Sequence, residues 1–195
     1  MDWDSPSKIL DLKTIDNLLY LDLETTGLDA GAGAKIVEIA MVALNGNKRS
    51  QYQTLVNPGR LIHPEISKIN SIYNDMVENA PYFSAICGEV LEFLGGNTIV
   101  CHNVPFDLPI LAREIKSAAK IERCFYCIDT LTLARKFFNF ESNSLQSIAS
   151  VLGIEPSVKH RAMADVETLI SVSKYLFSNM IRKGIPSAEA FLFKQ

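Results

Sequence analysis

The sequence predicts a mixed α/β fold, a five-stranded mixed sheet flanked by helices, and three observations lead to it. LLYLDL (18–23) is apolar on both parities, as in a central strand covered on both sides. KIVEIAMVAL (35–44) and SQYQTLVN (50–57) read as two antiparallel strands, joined through Asn45-Gly46-Asn47, a strong hairpin signal. Beyond them, strands and helical stretches alternate to the end of the chain, the pattern of a sheet with helices on its faces.

The elements follow in order. Residues 1–16 are polar and acidic with a Ser-Pro and read as a loosely held N-terminal arm, leaving 17–195 as a single domain. After the three strands, a short helical stretch near 64–79 leads to Pro81, which starts a helix running to Gly95-Gly96. NTIVCHN is the fourth strand. Pro105 begins the helix PFDLPILAREIKSAAK, with Pro109 inside its first turns. FYCIDT is the fifth strand. TLARKFF and SLQSIASVL, the latter closed by Gly153, precede a long helix from Arg161 to Lys183 that Gly184 and Pro186 end. No internal repeat, low-complexity tract or linker is visible.

Composition bounds the function. The 195 residues are 48% hydrophobic, enough for one full core. No apolar run approaches a membrane span, and the acidic start MDWDSPSK lacks the features of a secretory signal, so a cytoplasmic protein is expected. A net charge of −3 argues against coating duplex nucleic acid through bulk positive charge. Arg113, Lys116, Lys120, Arg123, Arg135 and Lys136 are adequately explained as a solvated helix face. Cys124-x-x-Cys127 has no second Cys/His pair to complete a zinc site, and all four cysteines read as buried free thiols.

Three strings carry the chemistry: DLETTGL with Asp22 and Glu24, HNVPFD with Asp107, and HRAMAD with His160 and Asp165. Four carboxylates and a histidine are the inventory for holding two divalent cations and deprotonating a water beside them. Asp22 and Glu24, two apart on a strand, share a face with Leu18 and Tyr20. Asp107 falls in the first turn of its helix, where a carboxylate also complements the dipole. Asp165 sits beside the apolar stripe of the last helix, three residues from Ala162 and four from Leu169, where an acid needs a partner. His160 precedes that helix, and an ordinary imidazole suits a general base at neutral pH. His102, at a strand end, is a candidate substrate contact; His63, before Pro64, reads as structural. Asp129 reads as a hydrogen-bonding support, because the four-acid set is already complete.

In their order and flanking residues the three strings resemble the exonuclease motifs of the DnaQ-like 3′–5′ exonucleases, in the subgroup whose last motif carries a histidine (DEDDh). The likeness spans about residues 18–180 and includes KIVEIA, NAPYF, IVCHN, IDTLTLAR and LQSIASVLGI. Within the family, DLETTGL resembles the proofreading epsilon subunits of DNA polymerase III, whereas oligoribonucleases usually have a methionine at the position of Thr25. The resemblance implies a ribonuclease H-like fold and a metal-dependent exonuclease on single-stranded 3′ ends, DNA before RNA, using two Mg2+ or Mn2+ ions. It implies that Asp22, Glu24 and Asp165 hold the metal that activates water, with Asp22 bridging to a second metal joined by Asp107. His160 is implied as the base that takes the water's proton. Thr25, Thr26 and Leu28 are implied to line the terminal nucleotide, and Phe106 to press on the penultimate one.

Two departures stand out. Where family members commonly read Ile-His-Gly-Ile, this chain has Ile69-Asn70-Ser71-Ile72, in a segment that approaches the terminal nucleotide in relatives; Asn70 keeps hydrogen-bonding ability without the imidazole. The sequence also stops at FLFKQ, short of the flexible tail and polymerase-binding segment that replicative epsilon subunits carry, so a DNA polymerase partner is left open. Two competitors remain: an RNA 3′-end-trimming exonuclease of the same fold, and a non-catalytic accessory module, which the presence of all five site residues disfavours.

Overall fold

The computed structural model describes residues 8–12, 15–27, 33–155 and 161–193. In chain order the elements are β1 (Lys8–Asp11), β2 (Leu18–Thr25), β3 (Ile36–Asn45), β4 (Lys48–Leu55), α1 (Pro64–Asn70), α2 (Asn74–Val77), α3 (Phe83–Leu94), β5 (Thr98–Cys101), α4 (Val104–Ala119), β6 (Phe125–Asp129), α5 (Thr130–Phe137), α6 (Leu145–Val151), α7 (Ala162–Arg182) and β7 (Ser187–Phe193).

The five expected strands, β2 to β6, form the centre of a mixed sheet. β2 pairs antiparallel with β3 and parallel with β5; β3 pairs antiparallel with β4, and β5 parallel with β6. Gly46, with φ of 58°, turns the β3–β4 hairpin. The sheet is larger than expected. β7 adds antiparallel to β6, and β1 adds antiparallel to β7, giving the order β1-β7-β6-β5-β2-β3-β4. The arm expected over residues 1–16 is therefore corrected for Lys8–Asp11, which are strand. These two strands find each other across the whole chain, and local residue preferences do not report such pairing.

The two parities of β2 account for the layers. Leu19, Leu21 and Leu23 join a core with α3 and α4, through residues such as Val90, Leu108 and Leu111. Leu18 and Tyr20 join the opposite core, built on α7 through Val166, Leu169 and Leu176, with Ile148 of α6. The side chain of Ser173 on α7 donates to the hydroxyl of Tyr20 at 3.2 Å, so the polar atom of that buried ring is satisfied. Three of the four cysteines are buried as expected; Cys124, before β6, is exposed instead, and all four are free thiols. No helix among the described residues is long and apolar enough to cross a membrane.

Candidate metal centre

The C-terminal ends of the parallel strands β2, β5 and β6 lie side by side, next to the point where β2 changes from a parallel to an antiparallel neighbour. Open α/β sheets place their ligands at such a position. Asp22 and Glu24 stand near the end of β2 on the face covered by α7, in line with Tyr20. α7 brings Asp165 onto the same face, one turn from its start. Carboxylate oxygens of Asp22, Glu24 and Asp165 all lie within 4.8 Å of one another, close enough to share one ion.

Asp107 arrives from the other side of the sheet. Asn103, at a left-handed φ of 94°, turns the chain out of β5 and into α4, and Pro105 supplies a preset φ in the first turn. Asp107 is buried there and accepts a hydrogen bond from the backbone N–H of Leu23. Its charge acts on Asp22, and the charge of Glu24 acts on it.

The electrostatics of the group favour a bound cation. Burial pushes Asp22 well above the ordinary carboxylate range, and Asp107, Glu24 and Asp165 push it further. Burial also raises Asp107, helped by Glu24. Glu24 rises to about 8 through burial, Asp165 and Glu38, although Arg161 and a hydrogen bond from Asn70 pull it back. Like-charged acids crowded away from water cannot all ionise without compensation. Hard oxygen donors at this spacing suit a divalent cation.

Supporting contacts aim these acids. The Gln146 side chain donates to Asp165 Oδ1 at 3.0 Å. Asp129 caps α5, accepting from the backbone N–H groups of Asn103 and Leu131 at 3.0 Å and from the Thr132 hydroxyl at 2.9 Å. It thereby fixes the turn that launches α4, the supporting role read from its strand-end position.

Several expected substrate contacts are engaged within the protein. Asn70 is only 1% exposed. Its amide donates to the Thr25 carbonyl at 3.4 Å and to Glu24, and its Oδ1 accepts from Ile72 N–H at 3.0 Å. In this arrangement the Asn70 side chain supports a site acid. The neighbouring Ile69 is exposed and free to meet a ligand. The Thr25 hydroxyl donates to the Gly27 carbonyl at 2.6 Å, and Thr26 Oγ1 accepts from Lys35 N–H at 3.0 Å. Both hydroxyls shape the turn after β2. Phe106 is half-buried in the first turn of α4. His102 lines the cleft, but its ring nitrogens meet Thr130 Oγ1 at 2.9 Å and the Asn143 carbonyl at 2.8 Å. A carbonyl only accepts, so Nε2 carries a proton and the ring braces the segment before α6. His63 caps α1, its Nδ1 accepting from Glu65 N–H at 3.3 Å. His160 and Leu28 lie outside the described residues.

Three features were missed in the sequence. A cleft of about 490 Å³ opens beside Asp22 and Asp165, lined by Arg135, Asn143, Ser144 and Gln146. Of the basic residues read as a solvated face, Arg135 borders this cleft, whereas Lys116 pairs with Glu122 and Arg113 donates to the Ala34 carbonyl. The third is a buried ion pair between Glu38 and Arg161. Its signal was available, since Glu38 is a lone acid in the apolar run KIVEIA and such an acid requires a partner.

Comparison with known proteins agrees with this geometry. A sequence model of the family described as Exonuclease matches residues 19–173. A PolC-type DNA polymerase III from Thermotoga maritima is 36% identical over 168 residues, 86% of this chain but 12% of the relative. The DNA polymerase III subunit epsilon of Treponema pallidum is 33% identical over 164 residues, 82% of this chain and 74% of its own. Among solved structures, Exonuclease X in complex with 5′ overhanging duplex DNA superposes with a TM-score of 0.64 at 25% identity, covering 83% of this chain and 92% of that one. The chain spans less than a fifth of the PolC-type relative and about three quarters of the epsilon subunit.

Proposed function

The chain belongs to the exonuclease family as a DnaQ-like member, and from that membership we propose a metal-dependent 3′–5′ exonuclease releasing 5′-mononucleotides from single-stranded 3′ ends. The observation that carries the reading is the convergence of Asp22, Glu24 and Asp165 within 4.8 Å, with Asp107 buried alongside. Bound divalent cations, two in this reading and either Mg2+ or Mn2+, supply Lewis-acid activation of water and offset the charge developing on the phosphate.

The chain's own residues do the rest. Asp22, Glu24 and Asp165 hold one ion, and Asp22 with Asp107 the other. His160 takes the proton from the attacking water as general base. Phe106 and Ile69 offer apolar surface to the last bases, and the turn built by Thr25 and Thr26 receives the terminal sugar. Arg135 is a phosphate contact in the cleft. DNA is favoured over RNA because the relatives carry DNA polymerase III names and Exonuclease X is described with DNA. A cytoplasmic location accompanies the reading, which leaves association with a DNA polymerase open.

Matched single-stranded DNA and RNA oligomers labelled at the 5′ end test it. The expected result is a ladder shortening from the 3′ end, with 5′-mononucleotide products, blocked by a 3′-phosphate and stopped reversibly by chelation. Faster trimming of RNA replaces DNA as the substrate. Hydrolysis undiminished in excess chelator, or none of either oligomer with metal present, overturns the proposal.

A further inference from the structure

α7 lacks a cap of its own. Its N-cap residue is Arg161, whose side chain cannot accept a hydrogen bond, yet helix starts normally rely on Ser, Thr, Asp or Asn there. The acceptor comes from another element: Glu38 Oε2, near the bulged end of the β2–β3 pair, accepts from the backbone N–H of Ala162 at 3.1 Å. The same carboxylate receives the Arg161 guanidinium through two bonds, Nε to Oε2 at 3.1 Å and Nη2 to Oε1 at 2.9 Å. Gln53 on β4 donates to Oε1 at 2.8 Å. Glu38 is 1% exposed, so this bidentate fork sits where its geometry is held by packing.

The position of the pair matters more than its strength. Glu38 lies directly opposite Glu24 in the β2–β3 register, beside a bulge that leaves Val37 out of the pairing. Like charges opposed across strands repel, and Glu38 does raise Glu24 while Arg161 lowers it. Asp165 is tied to the same point, because its N–H donates to the Arg161 carbonyl at 3.0 Å. His160 is one peptide bond away. A local cap at position 161 would stabilise the helix without fixing it to the sheet.

We propose that Glu38 and Arg161 form a positioning clamp: a carboxylate of the sheet that caps α7 from outside and sets Asp165 against the β2 acids. The proposal rests on the exonuclease reading for the role of those residues. The clamp stands outside the Asp22, Glu24 and Asp165 cluster. It fixes the distance between the two elements that supply ligands, and Arg161 keeps Glu38 from adding a fifth uncompensated charge.

Arg161→Ser separates positioning from mere stability, since serine restores a local cap while removing the cross-link. Arg161→Ala and Arg161→Lys accompany it, with thermal melting, Mn2+ calorimetry on the protein alone, and steady-state kinetics on a single-stranded DNA oligomer. Arg161→Ala is expected to lose both melting temperature and metal affinity. Arg161→Ser is expected to recover melting temperature yet keep a ~10–100-fold loss in Mn2+ affinity, the usual cost of removing an outer support of a metal ligand. Its turnover at saturating metal should fall by a similar factor with little change in the Michaelis constant, and Arg161→Lys should recover part of both. An Arg161→Ser protein with wild-type Mn2+ affinity and turnover overturns the clamp. If the wild type itself degrades no oligomer, the exonuclease reading fails, while the Mn2+ comparison still decides the clamp.

Discussion

Glu24 and Glu38 face each other across one strand pair, both turned toward α7, and they have opposite fates. Burial acts on both. For Glu38 it is outweighed by Arg161, Gln53 and the N–H of Ala162, which together hold it below the usual carboxylate range. For Glu24 the donors present, Asn70 and the more distant Arg161, do not offset burial and the neighbouring acids, and it rises to about 8. One acid is completed by the protein; the other is left needing something the protein does not supply. That contrast separates a structural carboxylate from a functional one better than burial or charge does alone.

The largest effects should come from the uncompensated side. Asp22→Ala, Glu24→Ala or Asp165→Ala each should reduce nuclease activity to near background in the oligomer assay, because each removes a proposed metal ligand. His160→Gln should cost ~10²–10⁴ in turnover, the worth of a positioned general base, while Mn2+ affinity measured by calorimetry survives. Wild-type turnover in the Gln variant, or lost metal binding, would remove His160 from that role.

Stability should split the two glutamates in opposite directions. Glu38→Gln breaks a buried pair and leaves Arg161 without its partner. It should destabilise the fold by about 3 kcal/mol, the lower end for such pairs because Arg161 retains some contact with water. Glu24→Gln in chelator should raise the melting temperature instead, since it relieves repulsion. Denaturant melts of the two variants with and without Mg2+ check the pair. Equal signs in the metal-free state would erase the distinction.

pH sharpens the same comparison. An acid whose pKa rises on folding binds protons more tightly in the folded state, so stability is fullest at low pH and declines through the interval between the two values. For Glu24 that interval runs from its ordinary 4.5 to about 8, and Asp22 and Asp107 are displaced in the same direction. Metal-free protein should therefore melt lower at pH 8 than at pH 5.5. Saturating Mg2+ should abolish or reverse the slope, and Glu24→Gln should flatten it. A metal-free slope of the opposite sign would mean that the acids find compensation within the chain.

How much of this was legible in the sequence follows from locality. β2 announced itself through apolar residues on both parities, and the Asn45-Gly46-Asn47 turn gave the hairpin. The acids were legible because their spacing and flanking residues were specific. Glu38 and Arg161, 123 positions apart, form a pair that only the fold creates, although each alone was conspicuous. β1 and β7 were missed for the same reason, since they pair with each other from opposite ends of the chain. The inward turn of the Asn70 side chain was not legible, because the resemblance described the segment but not which way the side chain points.

Asn70 gives the smallest expected effect and the finest test. It is a neutral donor to Glu24, and its loss leaves the acid's other neighbours in place. Asn70→Ala removes that donor and the acceptor for Ile72 N–H, so about 1–2 kcal/mol of stability should go. Mn2+ affinity should fall only a few-fold, because Glu24 keeps its position on β2. The Michaelis constant for oligonucleotides should stay near wild type, since a side chain 1% exposed has no surface to offer a nucleotide. Asn70→Asp should be worse than alanine in chelator above pH 6, as it places another acid against Glu24. Metal should rescue it. A ten-fold rise in the Michaelis constant of Asn70→Ala with unchanged Mn2+ affinity would return Asn70 to the substrate, and would mean that this segment opens when a 3′ end arrives.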